Sequence, residues 1–285
     1  MISSRSLALA VIFAFTPIAA PVLPPALGSA HAEEAAISVA ELMRATALDD
    51  IFTQFGASIE SAPAEQGTVF TPAMQTAWTS AAREVFSAKA MHAELAAAFE
   101  NTFDPAEMAS FADFFHSEFG SRVSAIERQV ATLPPRAQLA ARDEGLALVA
   151  ESGPRRMQQI EEMLELVSAE IATAMVREAV RGLLIGMSVN GKQGDIEVPW
   201  AEIEAELTAI MPAIEADMAA TQRAMMHFGY RDLSEAELDT YIEFLRTEPA
   251  QRFYAVAAFS IGQIIADRMR TFGVTVARNL ARVDV

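Results

Sequence analysis

Three groups of residues have types and spacings that could do chemistry. Met225-Met226-His227 sets two thioethers and an imidazole in a row, and such donors suit Cu(I). Asp113-x-x-His116 puts a carboxylate and an imidazole on one helical face, although a metal site needs three or four ligands. Gly186 to Gln193, with Gly191-Lys192 near its end, approximates a phosphate-binding loop. Its last position is Gln where Ser or Thr would hold Mg²⁺, and no strand precedes it. The plainer readings are core packing for the methionines, a half-buried histidine, and a helix–helix connector.

Hydrolytic chemistry has fewer parts. Gly-x-Ser-x-Gly and His-Glu-x-x-His do not occur, and there is no cysteine to act as nucleophile, thiolate ligand or disulfide partner. The acidic groups Glu161-Glu162-Glu165 and Glu202-Glu204-Glu206 offer carboxylates for a glycosidase-like pair, but such runs are commonly solvated helix faces. Trp78 and Trp200 could line a groove or fill a core. No catalytic residue, cofactor or metal is assigned.

The elements that must position these residues are helical. Apolar residues recur at helical steps, as in Ile160, Leu164, Val167, Ile171 and Met175, which predicts one stripe facing a partner helix. Thr71-Pro72 and Asp104-Pro105 read as helix starts, with Pro at the first position. Pro134-Pro135, Gly153-Pro154 and Asn190-Gly191 read as breaks, and Pro212 as a kink or break. The 285 residues carry a net charge of −17, which disfavours nucleic acid and anionic membrane surfaces as partners.

The first thirty-two residues have the three parts of a secretory signal. Arg5 is followed by an apolar run from Leu7, then by Ala30-His31-Ala32 ahead of Glu33-Glu34, so cleavage after Ala32 and a periplasmic or secreted protein are expected. Four prolines in that stretch argue against a continuous spanning helix, and no later stretch reaches the ~20 apolar residues a span needs.

An internal repeat organises the remainder. Asp104 to Val123 aligns without gaps with Ser234 to Phe253, and Ala106, Glu107, Phe114, Glu118 and Arg122 match Ala236, Glu237, Phe244, Glu248 and Arg252. Each position has a structural role available. Asp104 and Ser234 are N-caps, and Glu107 and Glu237 complete capping boxes. Phe114 and Phe244 widen a buried stripe that includes Met108, Phe111, Leu238 and Tyr241, while Ser117 and Thr247 cap the next helix. Glu118–Arg122 and Glu248–Arg252 are i, i+4 ion pairs in the favoured orientation. The expected fold is all-α: two related antiparallel helical bundles formed by duplication, over residues 33–153 and 154–285, behind a signal peptide at 1–32.

The segment from Asp104 to Arg122, and again that from Ser234 to Arg252, resembles a bacterial envelope family, domain of unknown function 2059. Its marks are an acidic helix start, an aromatic stripe and a Ser-Pro-Gly-like corner. The first corner here lacks the Pro and the second lacks the Gly. The resemblance implies a secreted all-helical protein and brings no catalytic residues. The function expected is a non-enzymatic envelope module that binds a protein or an apolar ligand. The alternatives are a carboxylate-dependent hydrolase in an interdomain groove and weak copper buffering through Met225, Met226 and His227.

Overall fold

The computed structural model describes residues 37–65, 70–100, 102–167, 169–189 and 200–283. The signal peptide expected at 1–32 and the Gly191-Lys192 pair of the phosphate-loop-like stretch lie outside them. Among the described residues there are twelve helices and no strand. They are α1 (Val39–Ala45), α2 (Ile51–Glu65), α3 (Pro72–Val85), α4 (Ala88–Phe99), α5 (Pro105–Phe115), α6 (Glu118–Ala131), α7 (Pro135–Glu151), α8 (Pro154–Leu166), α9 (Ala169–Val189), α10 (Trp200–Gly229), α11 (Glu235–Leu245) and α12 (Glu248–Val283). No helix is long and apolar enough to cross a membrane among these residues.

Local chemistry sets the helix starts. Thr71 accepts from the Met74 amide at the head of α3, and Ser87 accepts from Ala90 at the head of α4. Pro135 and Pro154 occupy the first position of α7 and α8, where an N–H would have no helical partner. Of the kink or break expected at Pro212, the break does not occur: Pro212 lies inside α10, which runs through it. One expectation fails. The stripe from Ile160 to Met175 is divided, because α8 ends at Leu166 and Val167 is its C-cap. Apolar periodicity can survive a change of helix direction when both helices face the same core, so the break left no mark in the pattern.

Two helices form the spine. Gly182 and Gly186 of α9 lie against the backbone of Ala266, Arg270 and Gly273 of α12. A Cβ on Gly186 would sit 2.3 Å from the Arg270 carbonyl oxygen. The Gly-Leu-Leu-Ile-Gly step of α9 lets the helix axes approach closely, and this signal was present in the sequence. Along this contact Met175 meets Gly262, Gly182 meets Ala266, and Gly186 meets Gly273. Both numbers rise together, so α9 and α12 run parallel, contrary to the antiparallel arrangement expected.

The C-terminal half of α12 reaches into the first half of the chain. Phe272 packs edge-on against Trp78 at 4.7 Å and tilts against Phe86 at 5.3 Å. The fully buried Trp78 donates its indole N–H to the Ile59 carbonyl at 2.6 Å. One continuous apolar cluster contains residues from Ile37 to Val276. The Gly153-Pro154 junction is a helix break, as expected, but the core continues across it. The two segments therefore do not enclose separate cores.

A small second cluster stands apart. Ala141 of α7, Met225 of α10 and Val130 of α6 form it, with Leu133 and Phe228 against them. Here Gly145 of α7 crosses Ala224 so closely that a Cβ would fall 2.1 Å from the Ala224 carbonyl oxygen.

Candidate functional site

The repeat residues come together in one place. Both capping boxes form as the spacing predicts: Asp104 accepts from the Glu107 amide while Glu107 accepts from Asp104 N–H, and Ser234 and Glu237 do the same. Ser117 accepts from Gly120, and Thr247 from Ala250, at the two corners. Phe114 and Phe244 stack face to face, with ring centroids 3.7 Å apart and an angle of 6°.

The ion pairs differ from expectation. Arg122 donates to Glu237, not to Glu118. Arg252 donates to Glu107 at 2.5 and 2.7 Å and to the Thr102 carbonyl at 2.6 Å, not to Glu248. Glu118 and Glu248 form no ion pair among the described residues. The cause is preorganisation. Each capping Glu is already fixed by the backbone N–H of its own N-cap, and Glu107 is only 12% exposed. An Arg gains more from a held, half-desolvated carboxylate than from a free neighbour on its own helix. Each capping Glu thus closes its own helix and receives the Arg of the other corner. The backbone N–H of Ser234 and then the Arg122 guanidinium hold Glu237 down to about 2. The two corners clasp reciprocally, about an approximate two-fold axis between Phe114 and Phe244.

Beside the clasp lies a polar cluster that sequence reasoning missed. Tyr230 and Tyr241 each donate a hydroxyl to Oε1 of Glu127, both at 2.6 Å, and Tyr254 lies 3.2 Å from the Tyr241 hydroxyl. These are all the tyrosines in the chain. Glu127 comes from α6, Tyr230 from the end of α10, Tyr241 from α11 and Tyr254 from α12. The cluster breaks the two-fold relation, since Phe111, Ser124 and Glu127 in the first copy stand where Tyr241, Tyr254 and Ala257 stand in the second. Phe111 itself packs among Phe103 and Phe253. The rarity of tyrosine was the only signal, and nothing marked Glu127 among thirty-eight acids.

Burial pushes the Glu127 carboxyl above its ordinary value of 4.5, against the pull of the two tyrosine hydroxyls. Burial also raises all three tyrosines, so they remain protonated donors. The folded chain then holds the Glu127 proton more tightly than the unfolded chain. Its contribution to stability is complete below 4.5 and is lost as pH rises through the folded value. Glu127→Gln should remove this dependence. The stability of the variant relative to the parent should rise by a few degrees in melting temperature between pH 5 and 8, and parallel profiles would contradict the assignment.

The remaining candidates disperse. Met225 belongs to the small cluster and Met226 to the main core, because consecutive residues on a helix point about 100° apart. His227, 1% exposed, places Nδ1 3.0 Å from Ser152 Oγ. Asp113 and His116 are exposed, while His92 pairs with Asp49 at 3.0 Å. No group of three His, Asp or Glu residues converges on a cation position among the described residues. Acids expected as solvated faces take arginines instead: Glu161 with Arg223, Glu162 with Arg246, Glu204 with Arg181. An open depression of about 460 Å³ on α3 is lined by Gln75, Thr76, Thr79, Ser80 and Arg83, and it contains no carboxylate.

One surface is apolar where water should meet it. Leu139 is 47% exposed and Leu146 41% exposed, and their seven-residue spacing puts them on one face of α7. Asp143, Ala147 and Ala150 share that exposed face. The opposite face carries Ala141 and Gly145 against α10. With few residues large enough to build a core on either side, the periodicity of α7 gave little warning of this stripe.

No protein-family model, curated protein or solved structure matches the chain.

Proposed function

We propose that the chain is an exported, non-enzymatic interaction module of the bacterial envelope, cleaved after Ala32, and that α7 is the surface it presents. The observation that carries this reading is the outward stripe of Leu139 and Leu146. Two large apolar side chains on one turn-spaced face lose unfavourable water contact when a partner covers them. The flanks of the stripe supply its polarity. Asp143, Glu144 and Glu151 are exposed beside it, against Arg136 at its start. Such a face fits a helix with an apolar stripe and basic flanks, laid along α7. The overall charge of −17 favours the same partner by long-range attraction.

The reciprocal clasp supports descent of the two corners from one duplicated unit, and the resemblance to domain of unknown function 2059 supports the envelope assignment. Neither calls for a reaction. The clasp residues Asp104, Glu107, Phe114, Arg122, Ser234, Glu237, Phe244 and Arg252 act in this reading as fasteners.

The test is binding of a fluorescent amphipathic helical peptide made of Leu and Lys, read by anisotropy. Leu139→Ser combined with Leu146→Ser should weaken binding by at least about tenfold through lost apolar burial, and Asp143→Asn should weaken it less and mainly at low salt. Equal binding by the double Ser variant and the parent would place the peptide elsewhere and overturn the assignment of α7.

A further inference from the structure

The hydroxyl of Ser152, the residue after α7, donates to the Leu148 carbonyl at 2.7 Å. That hydrogen is therefore committed, and the oxygen receives the Nδ1–H of His227. In this tautomer Nε2 is a bare acceptor. It is buried and has no hydrogen-bond partner. The neutral ring thus ties the end of α7 to α10, and it can accept one more proton only inside the protein.

The surroundings oppose that proton. Arg156 of α8 and Arg223 of α10 face the ring, and Glu161 of α8, which receives Arg223, is the one acid beside it. Arg156 is itself held by the carbonyls of Tyr230 and Leu233, at 2.5 and 2.8 Å, so it cannot swing away without uncapping the end of α10. Burial, then Arg156, pushes the imidazole below its ordinary value of 6.5, with Glu161 opposing.

α7 itself is built to be separable. Its apolar attachment is the small cluster of Val130, Ala141 and Met225, apart from the main core. Prolines bound it, at Pro134-Pro135 and at Pro154. Its close crossing with α10 is made by small residues, Gly145 and Ala224. Its ion pairs are Arg142–Asp217 at 2.6 Å and Glu144–Arg231 at 3.7 Å. Segments with few buried apolar contacts open first.

We propose that α7 is a pH-gated helix: the neutral His227 ring ties its C-terminal end through Ser152 while Nε2 is buried without a partner, and release of that end from α10 lets the ring take a proton, so acid favours the open helix. The proton is taken up in the open state. The sign follows, since closed α7 is favoured fully above the ordinary imidazole value, and the preference is lost as pH falls through it. The Glu127 cluster acts in the opposite direction, gaining stability on acidification, so the main core stays closed while α7 opens. The latch does not depend on the partner-binding role of α7, because opening is measured with no partner present.

Amide hydrogen exchange of the full chain at pH 7.5 and 5.5, corrected for intrinsic rates, tests this. The α7 amides over 136–151 should open more by up to about tenfold per pH unit, the limit for uptake of one proton, while those of α12 open no more at pH 5.5 than at pH 7.5. His227→Gln should abolish the pH response. Ser152→Ala, which leaves the buried ring intact, should open α7 several-fold already at pH 7.5. An unchanged α7 between the two pH values, a rise shared equally by α12, or a pH response that survives in His227→Gln would overturn the latch. Should His227→Gln fail to fold, Ser152→Ala decides alone: exchange of α7 equal to the parent at pH 7.5 contradicts the proposal.

Discussion

Gly186→Leu is expected to lower stability by about 3 kcal/mol, near the upper range for overpacking, or roughly 10 °C in melting temperature for a chain of this size. The parallel contact of α9 with α12 is close along its length, and Gly186 is its closest approach of backbone to backbone. A Cβ there meets the Arg270 carbonyl oxygen at 2.3 Å, the Val274 amide nitrogen at 2.9 Å and the Gly273 Cα at 3.0 Å. These are backbone atoms of a helix and cannot rotate away. The helices must separate, and separation strips contacts along the whole interface because packed interiors have no slack. Leucine is the better helix former by about 0.8 kcal/mol, which offsets only part of the loss. Gly153→Leu is the matched control. Gly153 has no atom within 4 Å of a built Cβ, so that substitution meets no clash and, at the N-cap of α8, should cost only about 1 kcal/mol or less. Equal thermal midpoints for the Gly186 variant and the parent would mean that α9 and α12 do not approach this closely.

The parts of the fold legible in the sequence were those fixed by neighbours in the chain. Asp104 with Glu107, Ser234 with Glu237, and Ser117 and Thr247 at the corners satisfy amides two to three residues away, so their spacing was sufficient to place them. The partners of Arg122 and Arg252 were not legible, because the better-held carboxylates are more than a hundred residues distant. The same holds for Glu127. Its significance comes from three hydroxyls brought in by α10, α11 and α12. The run Met225-Met226-His227 suggests a copper ligand set, yet helix geometry sends the three side chains apart and turns His227 toward Ser152. Two similar corners imply two similar bodies divided at Gly153-Pro154, yet one apolar cluster runs across that junction. The two similar segments present surfaces that fit each other, and such surfaces favour a shared core over separate ones.

That shared core gives the largest effect expected of any change to the chain. Residues 33–153 without the remainder lose α12, whose Phe272 packs on Trp78 and Phe86 and whose Arg252 closes on Glu107. Residues 154–285 without the first segment lose Glu127, leaving Tyr230 and Tyr241 without their acceptor, and lose Phe114 from the face of Phe244. Each half would expose apolar surface that only the other half covers, and unpaired polar groups would add a cost of ~1–3 kcal/mol apiece. The marginal net stability of a folded domain, ~5–15 kcal/mol, does not survive both losses. The direct measurement is thermal unfolding followed by circular dichroism on the two segments made separately, on their mixture, and on the whole of 33–285. Shared packing predicts one cooperative transition for the whole chain, none for either segment alone, and recovery of helical structure on mixing. A cooperative transition in each isolated segment, at temperatures the mixture leaves unchanged, would show two independent bundles and contradict the clasp.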